Sequence, residues 1–423
     1  MTRKPVAKKA RDRETIKINR ALCGQIQSAL AAEACVLLVG SHEVGKSDLA
    51  RAVASSSGGQ SRVVDCSDPA DQADLGSEDG LIRNGAGALL VIDNIEAFPA
   101  CLDMVRRELD QEREHGKDIG RFLVIVSAGY EGAARQKLGT RGRFMEVAPI
   151  DLADLPLGVP LGEANVPALS DLGDEAAIIR PNASIAMETL WLRGGYPQSL
   201  LAQHDKASFE WRRRYVDSVC ARHAAALGHP VSASMLRSFL ERVAAGQGAE
   251  FSTNQSLPAD QRPLIGHCVD WKLIRQLRPW FVNEVKRFEK HSKLYIRDSG
   301  LLHCLLTKRS LRDIRRSAVA YGGSWEGFCV ENLITAAGPD VGSYFYRSDD
   351  GAEIDLVLEF AMDGRWAIEL KGGSGSARKG FHTGAVEIAA TRKFVVRPIS
   401  ERVMIGETEA LPLQLAIEAV RAG

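Results

Sequence analysis

Along the first third of the chain, short apolar runs alternate with longer amphipathic stretches. Residues 36–39, 62–66, 88–92 and 122–126 are too short for helices and rich in Val, Ile and Leu. Unbroken apolar runs mark strands buried on both faces, and strands separated by helices pair in parallel. Residues 21–151 are therefore predicted to form an α/β unit, a parallel sheet covered by helices. Residues 152–181 are rich in Asp, Gly and Pro and lose all periodicity, as a linker or lid does. Apolar positions return at helical spacing in 207–227 and 231–244, which predicts a helical middle region over 182–309. From Ser324 the pattern changes again: residues 326–334 read as a helix, followed by strands at 342–347, 353–360 and 366–371. Residues 310–423 are predicted as a second α/β unit.

A chain of 423 residues is too long for one core and divides into roughly two or three domains. Its 45% hydrophobic and 26% charged content is that of a folded globular protein. No apolar run approaches the roughly 20 residues that span a bilayer, so no membrane partner is predicted. Met1 to Arg20 form a basic arm without the apolar stretch of a secretory signal, which makes cytoplasm the expected location. The eight cysteines are scattered, with no Cys-x-x-Cys pair. They read as core residues rather than a zinc site or a disulfide framework. Lys+Arg and Asp+Glu balance at 54 each, so contact with DNA or RNA would have to come from local patches. Candidates are the arm, the Arg212-Arg213-Arg214 run, and Lys286-Arg287 with Lys290 and Lys293; each reads equally as a solvated tail or helix face.

Two segments carry chemistry. After the first apolar run comes Gly40-Ser41-His42-Glu43-Val44-Gly45-Lys46-Ser47, a P-loop spacing between a strand and a helix. The glycines let the backbone wrap a β-phosphate, Lys46 reaches the β/γ oxygens of ATP, and Ser47 can ligate Mg²⁺. Asp93 closes the third apolar run, where a Walker B aspartate would hold the water shell of Mg²⁺. Ser127 follows the fourth run, where it can touch the γ-phosphate or the attacking water. Arg141 and Arg143 are either loop arginines or fingers toward a neighbouring subunit's γ-phosphate, which leaves a homo-oligomer open. In the second segment, Asp355 is followed after a hairpin-length interval by Glu369-x-Lys371. Carboxylates of this kind hold a divalent ion, Asp355 and Glu369 being the candidate ligands, and a lysine can orient water and stabilise phosphate charge. An acid on the preceding 326–334 helix could join them, Glu326 being the candidate with Glu331 in reserve. Arg347 and Lys379 flank the segment.

These blocks together resemble the bacterial and archaeal AAA+-type ATPases that carry a C-terminal domain of unknown function with a PD-(D/E)XK nuclease-like core. The resemblance rests on the P-loop, Val91-Ile92-Asp93, Gly142-Arg143, Trp191 to Pro197, Lys293 to Leu302, Ser324 to Phe328 and Gly351 to Asp355. It implies an ATP-binding domain controlling a nuclease-like effector on nucleic acid. Glu326, Asp355, Glu369 and Lys371 would be that effector's catalytic set. There are two departures. The family follows the Walker B aspartate with a glutamate, whereas this chain has Asn94, an amide that orients water but is a poor base; slow ATP turnover is expected. Glu96 can substitute only if its loop reaches the γ-phosphate. The second departure is at 255–277, which is short for the family's winged-helix module, with Pro258 and Pro263 interrupting it. Two rival readings are a nucleotide switch without turnover and a protein-interaction scaffold with an inactive nuclease fold.

Overall fold

The computed structural model describes residues 22–56, 60–76, 82, 88–115, 120–155, 187–251, 257–281, 292–373, 378–406 and 408–423. The basic arm, most of the 152–181 segment, and Lys286, Arg287 and Lys290 lie outside these residues.

The four predicted strands are present as β1 (Cys35–Gly40), β2 (Ser61–Asp65), β3 (Leu89–Asp93) and β4 (Phe122–Ser127), and an unpredicted fifth, β5 (Arg143–Glu146), joins them. Every residue of β1 and β3 is buried, while β2 and β5 are largely exposed. That division follows from position, because the parallel sheet runs β2-β3-β4-β1-β5. Central strands have helices on both faces and read as continuous apolar runs, whereas edge strands do not. Alternate residues of β1 feed two cores. Val36 and Leu38 pack with Leu49, Val53 and Ile26; Cys35, Leu37 and Val39 pack with Ile92, Leu102 and Val105.

The first of these cores continues into the helical region through Tyr196, Tyr215, Phe239 and Leu294. Helices Asp205–Leu227 and Ala233–Ala245 match the predicted spans closely. Arg212 is fully buried in the first of them and donates to the carbonyls of Leu192 and Gly300, so it belongs to the packing and not to a surface patch. Arg213 and Arg214 beside it are exposed.

A second sheet of nine strands has the order β13-β14-β12-β11-β10-β9-β7-β8-β6. Its members are β6 (Glu250–Phe251), β7 (Ile274–Pro279), β8 (Ser292–Ile296), β9 (Gly342–Arg347), β10 (Glu353–Phe360), β11 (Gly364–Leu370), β12 (Arg392–Arg397), β13 (Val403–Ile405) and β14 (Thr408–Pro412). Helix Ala318–Ala337 covers one face, where Trp325, Phe328 and Leu333 meet Leu356, Leu358 and Ile368. Helix Lys379–Glu387 covers the other, with Phe381 against Ile354 and Val357. β7 pairs in parallel with β9, so the β7–β8 hairpin from before residue 309 extends the sheet built after it. Among the described residues no helix is long and apolar enough to cross a membrane. All eight cysteines are free, and all but Cys23 are buried.

Candidate functional site

The loop from Gly40 to Gly45 connects the carboxyl end of β1 to helix Lys46–Ser56. Its backbone is tightly specified. A side chain at Gly40 would come within 2.4 Å of the Val147 carbonyl, and Gly45 sits at φ +96°. Both positions require glycine. Val44 is fully buried and anchors the loop, while His42 and Glu43 are exposed at its tip. Lys46 is turned inward, its ammonium donating to the carbonyls of Gly40 (2.8 Å) and Ser41 (2.7 Å). Burial pushes its pKa down to about 8 against the pull of Glu96 and then Asp93. Ser47 follows at the start of the helix, partly buried.

The sheet order brings the other candidates alongside. β4 lies between β1 and β3, so Ser127 at the end of β4 sits between the Gly40–Ser47 loop and Asp93. Carboxyl ends of parallel strands are where α/β sheets bind ligands. Asn94 and Glu96, the polar residues that follow Asp93, turn in opposite directions. Asn94 donates from Nδ2 to Asp65 Oδ1 on β2 (2.8 Å), while Glu96 accepts the backbone N–H of Ser127 on β4. Arg141 pairs with Asp110. Arg143 is exposed on the edge strand β5.

The Arg193 to Pro197 block, whose role is not legible from its residues, docks on this loop. Tyr196 hydroxyl lies 2.8 Å from Ser41 Oγ, and Tyr215 donates to the His42 carbonyl (2.8 Å). Gly194 and Gly195 are obligatory here, because a side chain would strike Asp298 from the first and the Ile150 backbone from the second. Asp298 accepts the N–H of Gly195 (2.7 Å) and caps helix Ser299–Leu305. The neighbouring Arg297 bonds Glu146 on β5 and Glu331 on helix Ala318–Ala337, and Arg275 grips both oxygens of Glu331 in a bidentate contact. Burial alone would push the Glu331 carboxyl up, but the two guanidinium groups hold it low. Glu331 is thus a structural ion-pair partner, and of the two candidate helix acids only Glu326 reaches the C-terminal cluster.

In that cluster the structure brings Glu326, Asp355, Glu369 and Lys371 together. Asp355 is buried on β10 beside a bulge between Ile354 and Val357, and it accepts the N–H of Leu370 on β11 (2.8 Å). Bulges beside sites re-aim side chains in this way. Lys371 lies just past β11, its Nζ 2.6 Å from Glu369 Oε1; Glu369 Oε2 has no hydrogen-bond partner among the described residues. Sequence reasoning missed four members. Lys293 is no surface charge: it is 2% exposed and lies 3.2 Å from Glu326, 3.3 Å from Glu353 and 4.0 Å from Asp355. Tyr295 donates to Glu326 (2.7 Å), and Arg378 bonds Glu353 (2.9 Å). The legible signal was period-two spacing, since Glu353 and Asp355 share one face of β10, as Lys293 and Tyr295 share one face of β8. Arg347 instead pairs with Glu250, and Lys379 is exposed.

A divalent ion held by protein side chains alone would need three or more ligands converging on an open point, whereas one bound with a phosphate group shares its shell with phosphate oxygens and water. Among the described residues no such group of His, Cys, Asp or Glu is arranged to hold one, and the Lys293 ammonium stands between Glu326, Glu353 and Asp355. Without a phosphate group to complete the shell, the residues as arranged do not fit a resident metal. Their charge is balanced internally, and incompletely.

Burial, with repulsion from Asp355 added, pushes the carboxyls of Glu326 and Glu369 up to about 7 from an ordinary 4.5. Between those values the folded state binds more protons than the unfolded chain, so this contribution to stability is full below about pH 4.5 and is lost as pH rises through about 7. The thermal midpoint of the native protein is expected to fall across that window by more than that of Glu369→Gln. Parallel melting curves for the two would contradict the assignment.

Two family models match the chain, both described as domains of unknown function: DUF8612 over residues 185–312 and DUF4143 over residues 321–416. An uncharacterized protein of Mycobacterium tuberculosis is 29% identical over 399 residues, covering 92% of this chain and 82% of that protein. An uncharacterized protein of Mycobacterium bovis matches with the same figures. Among solved structures, a Walker-type ATPase of Pyrococcus abyssi is similar at a TM-score of 0.40 and 12% identity, over 67% of this chain and 94% of that one. The chain is similar over most of its length to proteins without assigned activity.

Proposed function

We propose that this protein is an ATP-binding switch of the AAA+ type whose nucleotide state is transmitted to a nuclease-like C-terminal unit. The observation that carries the reading is the buried Lys46 ammonium, held on loop carbonyls at the carboxyl end of β1 with Asp93 and Ser127 on the adjoining strand ends. Phosphate oxygens would replace those carbonyls as partners of Lys46, with the loop N–H groups and the following helix N-terminus adding positive potential. Ser47 and Asp93 would hold Mg²⁺, which when bound neutralises charge on the β- and γ-phosphates. Transmission follows a continuous set of contacts: Ser41 to Tyr196, Gly195 to Asp298, and Arg297 to Glu331 on the helix that carries Glu326.

For the C-terminal unit, the order helix, three strands, helix, strand supports the nuclease-like fold, and the convergence of Glu326, Asp355, Glu369 and Lys371 supports a site toward nucleic acid. Lys293 favours the second reading, in which the fold is kept as an effector or interaction module without standing cleavage activity. Thermal melting of the full chain tests both halves. Mg²⁺-ATP is expected to raise the midpoint by mass action, about 2.7 kcal/mol of stabilisation at a hundred times Kd. Millimolar Mn²⁺ alone is expected to leave it unchanged. Absence of any shift with Mg²⁺-ATP would remove the nucleotide reading, and Mn²⁺-dependent cleavage of DNA or RNA without nucleotide would remove the closed C-terminal site.

A further inference from the structure

We infer that Glu96, rather than the residue after Asp93, is the carboxylate that receives the proton of the water attacking the γ-phosphate. This assignment rests on the nucleotide reading above. Its basis is where the chain goes after β3. Ile95 is fully buried and anchors a turn of 3₁₀ helix, Ile95–Ala97, that starts from Asn94 in the left-handed region at φ 53°. Asparagine is among the few side chains that adopt this conformation readily. The turn sends the two polar side chains to opposite sides of β3. Asn94 is exposed and its amide is spent on Asp65 of β2, which lies on the far side of β3 from β4 and β1. It is therefore directed away from the phosphate-binding loop. Glu96 is directed toward that loop. Its carboxylate takes the Ser127 N–H at the end of β4, the strand beside β1, and it is the foremost of the two carboxylates acting on the Lys46 ammonium.

Asp65 is the rival acid near Asp93, but its Oδ1 already accepts from Ser67 N–H (2.9 Å), Ser67 Oγ (2.7 Å) and Asn94 Nδ2 (2.8 Å). It also lies on β2, outside the β3-β4-β1 group. Glu96, half-buried, keeps Oε2 for a second partner while Oε1 holds Ser127. In the step proposed, the water oxygen forms a bond to the γ-phosphorus. The bond from that phosphorus to the β,γ-bridging oxygen breaks, its electron pair leaving on the nucleoside diphosphate. The water proton passes to Glu96 and then to the released phosphate or solvent. On this assignment the slow turnover expected from Asn94 does not follow, because the acid is moved two positions along the turn and not lost.

The test uses the full chain and Glu96→Gln, which keeps an acceptor for Ser127 N–H and removes only charge and basicity. Mg²⁺-ATP affinity is read by titration calorimetry, turnover by phosphate release, and bound nucleotide by ion-exchange chromatography after acid quench. The variant is expected to bind Mg²⁺-ATP within about threefold of native, to retain ATP where native protein holds ADP, and to turn over about 10²–10⁴-fold more slowly. Asn94→Gly, which keeps the left-handed turn and deletes the amide, is expected to stay within a few-fold of native turnover. Native turnover in Glu96→Gln, loss of nucleotide binding in that variant, or a native protein that binds Mg²⁺-ATP without hydrolysing it would each overturn the assignment. A native protein that fails to bind Mg²⁺-ATP overturns the loop reading instead.

Discussion

Replacing Lys46 with alanine is expected to remove nucleotide binding. The ammonium is the buried positive group at the loop, and its present partners are two carbonyls that a phosphate would displace. Charge-assisted hydrogen bonds contribute roughly 1.5–3 kcal/mol each, so losing two weakens binding on the order of 10²-fold or more. Titration of Lys46→Ala with Mg²⁺-ATP should show no saturable heat at concentrations that saturate native protein. Lys46→Arg is a sharper comparison, because a planar guanidinium cannot occupy the same point between the Gly40 and Ser41 carbonyls. Undiminished affinity in the alanine variant would mean that the loop is a structural turn, and the proposal for the N-terminal unit would fall with it.

The largest effect on stability is expected from Glu331→Ala. Glu331 is the acid shared by Arg275 and Arg297, and Arg297 links it to Glu146 on β5. Removing the carboxylate leaves Arg297, whose side chain is 6% exposed, with one partner, and Arg275 without its bidentate contact. Breaking a buried pair from one side costs about 3–5 kcal/mol, mainly because the remaining charge is left without compensation. Chemical denaturation should register that loss, with Glu331→Gln intermediate because its amide oxygen still accepts. The same variant carries information about coupling. If the Arg297 contacts transmit nucleotide state, Mg²⁺-ATP should alter protection of helix Ala318–Ala337 in hydrogen exchange for native protein and not for Glu331→Ala. A cost below about 1 kcal/mol would show that the pairs roughly offset their own desolvation and that the units are held by apolar packing alone.

Comparison of the two sites shows which kinds of information a linear chain carries. In the N-terminal unit, Gly40, Gly45, Lys46 and Ser47 fall within eight consecutive residues, and strand, loop and helix follow one another without interruption, so the local pattern already specifies the shape of the loop. Asp93 and Ser127 were legible because each ends an apolar run, and a parallel sheet gathers such ends along one edge. Strand order then decided what local pattern could not. Only with β4 between β1 and β3 does Ser127 lie beside the loop, and only the 3₁₀ turn after Asp93 separates the directions of Asn94 and Glu96.

In the C-terminal unit, helical and period-two spacing, which are local properties, marked the helix and three of the strands and set Asp355, Glu369 and Lys371 on neighbouring strands, but left the helix acid open between Glu326 and Glu331. Tertiary structure decided the charge state of that set. Lys293 comes from a hairpin before residue 309, reaches the cluster because β7 pairs with β9, and stands among three carboxylates that are 33 to 62 positions away from it. Its sequence neighbours, basic and polar, suggested a solvated patch. The same holds for Arg212, read as one of three surface arginines and found fully buried, and for Glu331, an acid whose partners come from β7 and from the residue after β8. Apolar periodicity survives in one dimension because burial repeats with the helix or strand period. The partner of a buried charge is chosen by packing between distant segments, and that choice leaves no period to read.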